Sequence, residues 1–221
     1  MNIEFDLLTN GIDSIETAIS LLAWEDERDD ARRLKQAVLA VAHGVELLLK
    51  ERLRRVHPVL IWENVDKFPS LRARTVTVDS ALNRLIKIGG LTISNEDCAL
   101  IQSLRDTRNA IEHYSWSTTK SEAEMIVGQA LGLALHFAKD ELQHDFFGYQ
   151  RRKDDTLDVL LEKSPKFAKA FRERYDQKPS DGLQGSLECD YCHALAVDSS
   201  TGACELCGHW NSLPGRDDIP F

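Results

Sequence analysis

The sequence predicts an all-α protein, an antiparallel helical bundle with a small cysteine module at its C-terminal end. Three observations predict it. Apolar residues recur every three or four positions over most of the first 150 residues, strong helix formers fill the intervening positions, and four of the five cysteines form two C-x-x-C pairs.

Each element follows in order. Ile12, Ile15, Ile19 and Leu22 share one face of a first helix, and "ARRLKQAVLAVAHGVELLLKERL" makes a long second one with a broad apolar face. Pro58 and the stretch "HPVLIWENVDKFPSLRART" interrupt the pattern with an irregular loop. Thr77 or Asp79 then caps a shorter helix through Lys87, which stops at Gly89-Gly90. Ser94 or Asn95 caps a fourth helix, and a fifth begins near Ser121 and continues through "SEAEMIVGQALGLALHFAKDELQHDF". After Arg151 the composition changes. "DDTLDVLLEKSPKFAKAFRERYDQK" reads as one or two short helices broken near Pro165, and "PSDGLQGS" has the small, turn-forming residues of a linker. The expected division is a bundle over 1–150, a helical extension and linker over 151–186, and the cysteine module with its tail over 187–221.

Composition narrows the function. The 221-residue chain is long enough to bury one full core beside a small module. Its N-terminus has neither a basic region nor a small-residue cleavage site, and no run approaches about eighteen apolar residues, so a cytoplasmic protein without membrane association is expected. A formal charge of -9 argues against a general, sequence-indifferent nucleic-acid binder. Locally the balance reverses, because Lys50 to Lys87 holds nine basic residues against four acidic ones. A solvated helix face is the simpler reading of that run.

The phrase "SLRDTRNAIEHYSWS" raises a sharper question. Ile101, Leu104, Arg108 and Ile111 lie three or four apart, so an arginine occupies the apolar stripe, while Arg105, Asn109 and His113 line an adjoining face. A guanidinium among core residues needs a partner or an interface. Glu46 of the second helix is one candidate carboxylate, and an interface is the other solution. Imidazole, guanidinium and amide together also form a minimal kit for cleaving RNA. The first moves a proton near neutral pH, the second holds a phosphate and stabilises its charge, and the third orients either one.

Arg108, Asn109 and His113, in the order Arg, Asn, three residues, His and set late in a helical bundle, resemble the signature of HEPN domains. The resemblance covers roughly residues 1–150 and extends to Glu46, a polar residue in the apolar early helix, with Lys50 one turn on. It implies a compact bundle, often a homodimer, in which the motifs of two subunits meet in a composite ribonuclease cleft. It also implies metal-independent endoribonuclease chemistry, leaving 2′,3′-cyclic phosphate and 5′-hydroxyl ends, in a toxin or antiviral defence effector. His113 would then be general base or acid, Arg108 the phosphate contact and Asn109 the orienting group, with Arg105 as a secondary phosphate contact. Glu46 and Lys50 would support the site or form a plain ion pair. Tyr114 follows His113 directly, whereas in the toxin subgroup an additional residue separates the histidine from a tyrosine that a partner enzyme modifies. Two other classes stay open, a silent module that binds RNA or a nucleotide, and an adaptor that docks a larger partner.

The cysteines carry the more specific local signal. Cys189 and Cys192, then Cys204 and Cys207, give C-x-x-C, eleven residues, C-x-x-C, the spacing of two knuckles facing each other in a zinc ribbon. Four thiolates close a tetrahedral site with no position for water, so the zinc is expected to be structural, with none needed for catalysis. His193 and His209 adjoin the knuckles as alternative ligands. Between Cys189 and Trp210 there is no Lys or Arg, which favours a protein partner, such as an antitoxin, over nucleic acid. Trp210 either joins such a docking surface or packs under its own knuckle. Cys98 is expected to be a small buried hydrophobe.

Overall fold

The computed structural model describes residues 4–24, 30–70, 72–146, 156–176, 187–191, 195–204 and 209–213. Seven helices dominate the described residues: α1 (Leu7–Ala23), α2 (Asp30–Val56), α3 (Val78–Lys87), α4 (Asn95–His113), α5 (Lys120–Leu142), α6 (Thr156–Lys163) and α7 (Pro165–Asp176). Two 3-10 turns, Pro58–Ile61 and Val65–Lys67, lie between α2 and α3, and a short antiparallel pair, β1 (Leu187–Glu188) and β2 (Leu195–Val197), follows α7.

Helix starts fall where side chains satisfy the first amides. Asp6 caps α1 by accepting from the Thr9 amide at 2.8 Å, Thr77 caps α3, Ser94 caps α4, and Thr119 with Glu122 forms a capping box on α5. Thr77 rather than Asp79 does the capping, and α5 starts one residue before Ser121. Gly90, at φ +70°, takes the left-handed conformation that ends the segment after α3.

α1 and α2 pack antiparallel, with Gly11 against Leu47 and Leu48 and Gly44 against Ile15. The approach is close because both contact points are glycines. A Cβ built on Gly44 would lie 2.6 Å from Ile15 Cδ1, and Ile15 is fully buried with no room to yield. Gly44→Ala is expected to cost about 1–3 kcal/mol of overpacking, exceeding the helix propensity it gains, as a lowered midpoint in thermal or urea unfolding.

α2 is the hub, touching α1, α3, α4, α5 and the first 3-10 turn. α5 is buried on nearly all sides between Val127 and His136. The extension expected after residue 150 packs back on the bundle, α6 against α1 and α7 against α5, with Leu160, Phe167 and Phe171 in the shared core. α4 differs from its neighbours, because only Ile101 and Leu104 are buried and its C-terminal half is partly exposed, with Glu112 and His113 at the surface.

Much of the basic run from Lys50 to Lys87 is already paired within the chain. Arg52 meets Glu141 at 2.8 Å, and Arg84 donates to the carbonyls of Leu60, Trp62 and Glu63, pinning the irregular loop to α3. Glu51, 1% exposed, is clamped by Arg54 at 2.6 Å and Arg55 at 2.9 Å, and Arg55 also donates to the Leu142 carbonyl. Burial raises the Glu51 pKa, but the hydrogen bonds from Arg54 and Arg55 outweigh it and hold the carboxyl below its ordinary range. A lowered folded pKa means that this group contributes stability above about pH 4.3, lost as pH falls through the folded value. Arg54→Ala/Arg55→Ala strands the buried carboxylate and is expected to cost about 3 kcal/mol at neutral pH. Urea unfolding across pH checks it, since that cost should shrink as acid neutralises Glu51.

Candidate active-site cleft and cysteine module

The irregular loop builds one wall of a cleft indirectly. Its Thr75 hydroxyl accepts from Lys50 Nζ at 2.9 Å, and the same ammonium reaches Glu46 at 2.6 Å. Lys50 is buried, so both contacts satisfy a charge removed from water. The pair is therefore present as an i to i+4 contact, and it also fixes Glu46 at the cleft.

That cleft, about 180 Å³, lies between α2, α3 and α4 and is lined by Ala42, Val45, Glu46, Thr77, Val78, Ile101, Leu104, Arg105, Arg108 and Asn109. Four of the residues singled out from the sequence, Glu46, Arg105, Arg108 and Asn109, thus share one concavity. Lys50 and His113 do not line it.

Arg108 is not a buried arginine paired with Glu46. Its side chain is 40% exposed, because the apolar stripe of α4 leaves the core after Leu104 and Ile111 is only half-buried. Its Nε donates to Glu112 at 2.7 Å and its Nη1 to the Asn109 side-chain oxygen at 3.3 Å. His113 is 63% exposed at the last helical position, with Nε2 3.9 Å from the same Glu112 oxygen. Arg108 and His113 therefore converge on one carboxylate, although sequence spacing puts them on adjoining faces. Glu112 is the residue that sequence reasoning missed, and its i to i+4 relation to Arg108 is the signal that points to it.

Arg105 is held by Asp106 at 2.7 Å and by Asp79 at the start of α3. The hydrogen bond to Asp106 and then the Asp79 charge raise the guanidinium pKa, so Arg105 is a fixed cation that ties α3 to α4. Tyr114 ends α4 and is 87% exposed. Cys98 is half-buried against the core rather than fully enclosed, because it sits in the first turns of α4.

In the cysteine module, Leu187 pairs with Val197 and Val197 with Cys204, so three short segments lie side by side. Cys189 and Cys204 are both buried. Asn211 crosses between the two halves, accepting from the Asp190 amide at 2.8 Å and donating to the Gly202 carbonyl at 3.2 Å. His209 Nε2 meets Asp190 at 2.9 Å and its ring stacks on Tyr191 at 5.2 Å. These contacts occupy His209 as a brace between the halves. Trp210 is 71% exposed and does not pack under a knuckle. Cys192, Cys207 and His193 lie outside the described residues, so no group of three or more metal-ligating side chains occurs among those described. Two buried thiols, one from each C-x-x-C pair, with polar bracing between them, fit half of a four-thiolate site.

Among the described residues no helix is long and apolar enough to cross a membrane. Compared with family models, with curated proteins and with solved structures, the chain matches none.

Proposed function

We propose that this chain is a HEPN-like, metal-independent endoribonuclease with a C-terminal zinc ribbon, acting as a homodimer in a toxin or antiviral defence role. The observation that carries the reading is the exposed end of α4. Arg108 and Asn109 open into a cleft while His113 stands beside them at the surface, all on a helix half that its own bundle covers only in part. A second copy laid over that half would enclose the cleft and bring another set of the same three groups to it.

In the reaction, the ribose 2′-oxygen attacks the adjacent phosphorus and the 5′-oxygen leaves. His113 takes the hydroxyl proton or, on a second subunit, returns one to the leaving oxygen. Arg108 stabilises the charge that grows on the phosphoryl oxygens, and Asn109, bonded to Arg108, fixes its orientation. The products are a 2′,3′-cyclic phosphate and a 5′-hydroxyl end. Cys189, Cys192, Cys204 and Cys207 would hold one structural zinc, which supplies folding energy and no chemistry.

Cleavage of total transfer RNA and a long messenger RNA in EDTA tests the reading, with cyclic-phosphate ends as the expected product and intact RNA as the result against it. One observation favours a second reading, a partner-docking adaptor. Arg105 and Arg108 of the cleft and Lys50 beside it are each matched by a carboxylate, and the whole chain carries a formal charge of -9. Growth arrest on expression separates the two, since an adaptor alone arrests nothing.

A further inference from the structure

Glu112 stands where helix energetics do not want it. It is the next-to-last residue of α4, beside the negative end of the helix dipole, where a carboxylate is unfavourable. Its partner Arg108 lies four residues before it, and this order, cation first, is the weaker arrangement for a helical ion pair. The pair forms nonetheless, at an ordinary charge-assisted 2.7 Å from Arg108 Nε, with the oxygen that also lies 3.9 Å from His113 Nε2.

A carboxylate oxygen on an arginine Nε is the nearest thing in a protein to a phosphate oxygen in the same place. We propose that Glu112 is a latch, a built-in competitor that occupies the phosphate position on Arg108 and must be displaced by the scissile phosphate of RNA. This inference rests on the ribonuclease reading of the same site.

The latch is weak by design. Both partners are partly exposed, so the pair is screened and opens without large cost, while a phosphate arriving at that guanidinium meets the Glu112 charge at close range. The device thus raises the threshold for engaging RNA without blocking it. Asn109, bonded to Arg108 Nη1, keeps the guanidinium in place when Glu112 lets go.

The test is binding of a non-cleavable 2′-O-methyl RNA at low salt by fluorescence anisotropy, using the full chain. Glu112→Gln keeps the side-chain shape and removes the charge. It is expected to tighten binding by about three- to tenfold, a gain that shrinks in high salt. Glu173→Gln, on α7 away from the cleft, removes the same charge and should change affinity less than twofold. In an Arg108→Ala background the Glu112→Gln gain should fall to the small residue left by charge repulsion, because most of it comes from freeing that guanidinium. Unchanged or weaker binding by Glu112→Gln overturns the proposal, as does a gain of equal size without Arg108. Tighter binding through Arg108 with no cleavage by any variant keeps the latch and sinks the nuclease. Cleavage with no gain in Glu112→Gln does the reverse.

Discussion

His113→Ala and Arg108→Ala are each expected to reduce RNA cleavage by about 10²- to 10⁴-fold, the usual worth of a general acid or base and of a charge stabiliser at a developing oxyanion. Neither change should disturb the fold. His113 is 63% exposed and Arg108 40% exposed, and surface substitutions of this kind stay within about 0.5 kcal/mol. The proof of role is therefore a loss of rate at constant unfolding midpoint, read on a labelled transfer RNA in EDTA. The two losses should not add in the double variant, since groups acting as a unit in one step fail together. Asn109→Ala should cost less, because the amide touches Arg108 through one 3.3 Å hydrogen bond and orients it. Cleavage that persists at the wild-type rate in both single variants would remove the nuclease reading outright.

The helices were legible because their signals are local. Caps at Thr77 and Ser94, the Gly89-Gly90 stop and the apolar spacing of α1, α2 and α5 depend on residues within a few positions of one another. The cleft was legible only in part. Glu46 and Arg108 do reach one concavity, but the partner of Arg108 is a tertiary outcome. Where a stripe leaves the core depends on which helices cover it, and on α4 no residue after Leu104 is fully buried. Once exposed, Arg108 takes the carboxylate one turn away instead of the one across the groove, which Lys50 already holds. The basic run from Lys50 to Lys87 misleads for the same reason. Charge counts along a chain do not reveal that Arg52, Arg54, Arg55 and Arg84 are bound within the fold.

The cysteine module makes the other large prediction, and it is separable from the first. Among the described residues its strands are two and three residues long with an irregular register, and the buried side chains recorded there are Cys189, Val197 and Cys204. A core that small does not offset the conformational entropy of ordering the segment without a metal or disulfide. A structural zinc on thiolates contributes apparent free energies of about 10–16 kcal/mol at neutral pH, enough to make the module folded with metal and unfolded without it. The purified chain should hold one zinc per subunit by elemental analysis. Cys192→Ser, or a strong chelator under mild denaturant, should release it and open the module to chymotrypsin at Tyr191 and Trp210. Helical circular dichroism should barely change, because nearly all of the buried apolar residues belong to the helices. A module that keeps its amide dispersion in the zinc-free chain would show that the braces from Asn211 and His209 suffice alone. Read together with the cleavage assay, zinc removal also assigns the metal its role. Ribbon order lost with cleavage retained makes the zinc a scaffold, whereas loss of both would mean that the ribbon holds the RNA or the second subunit in place.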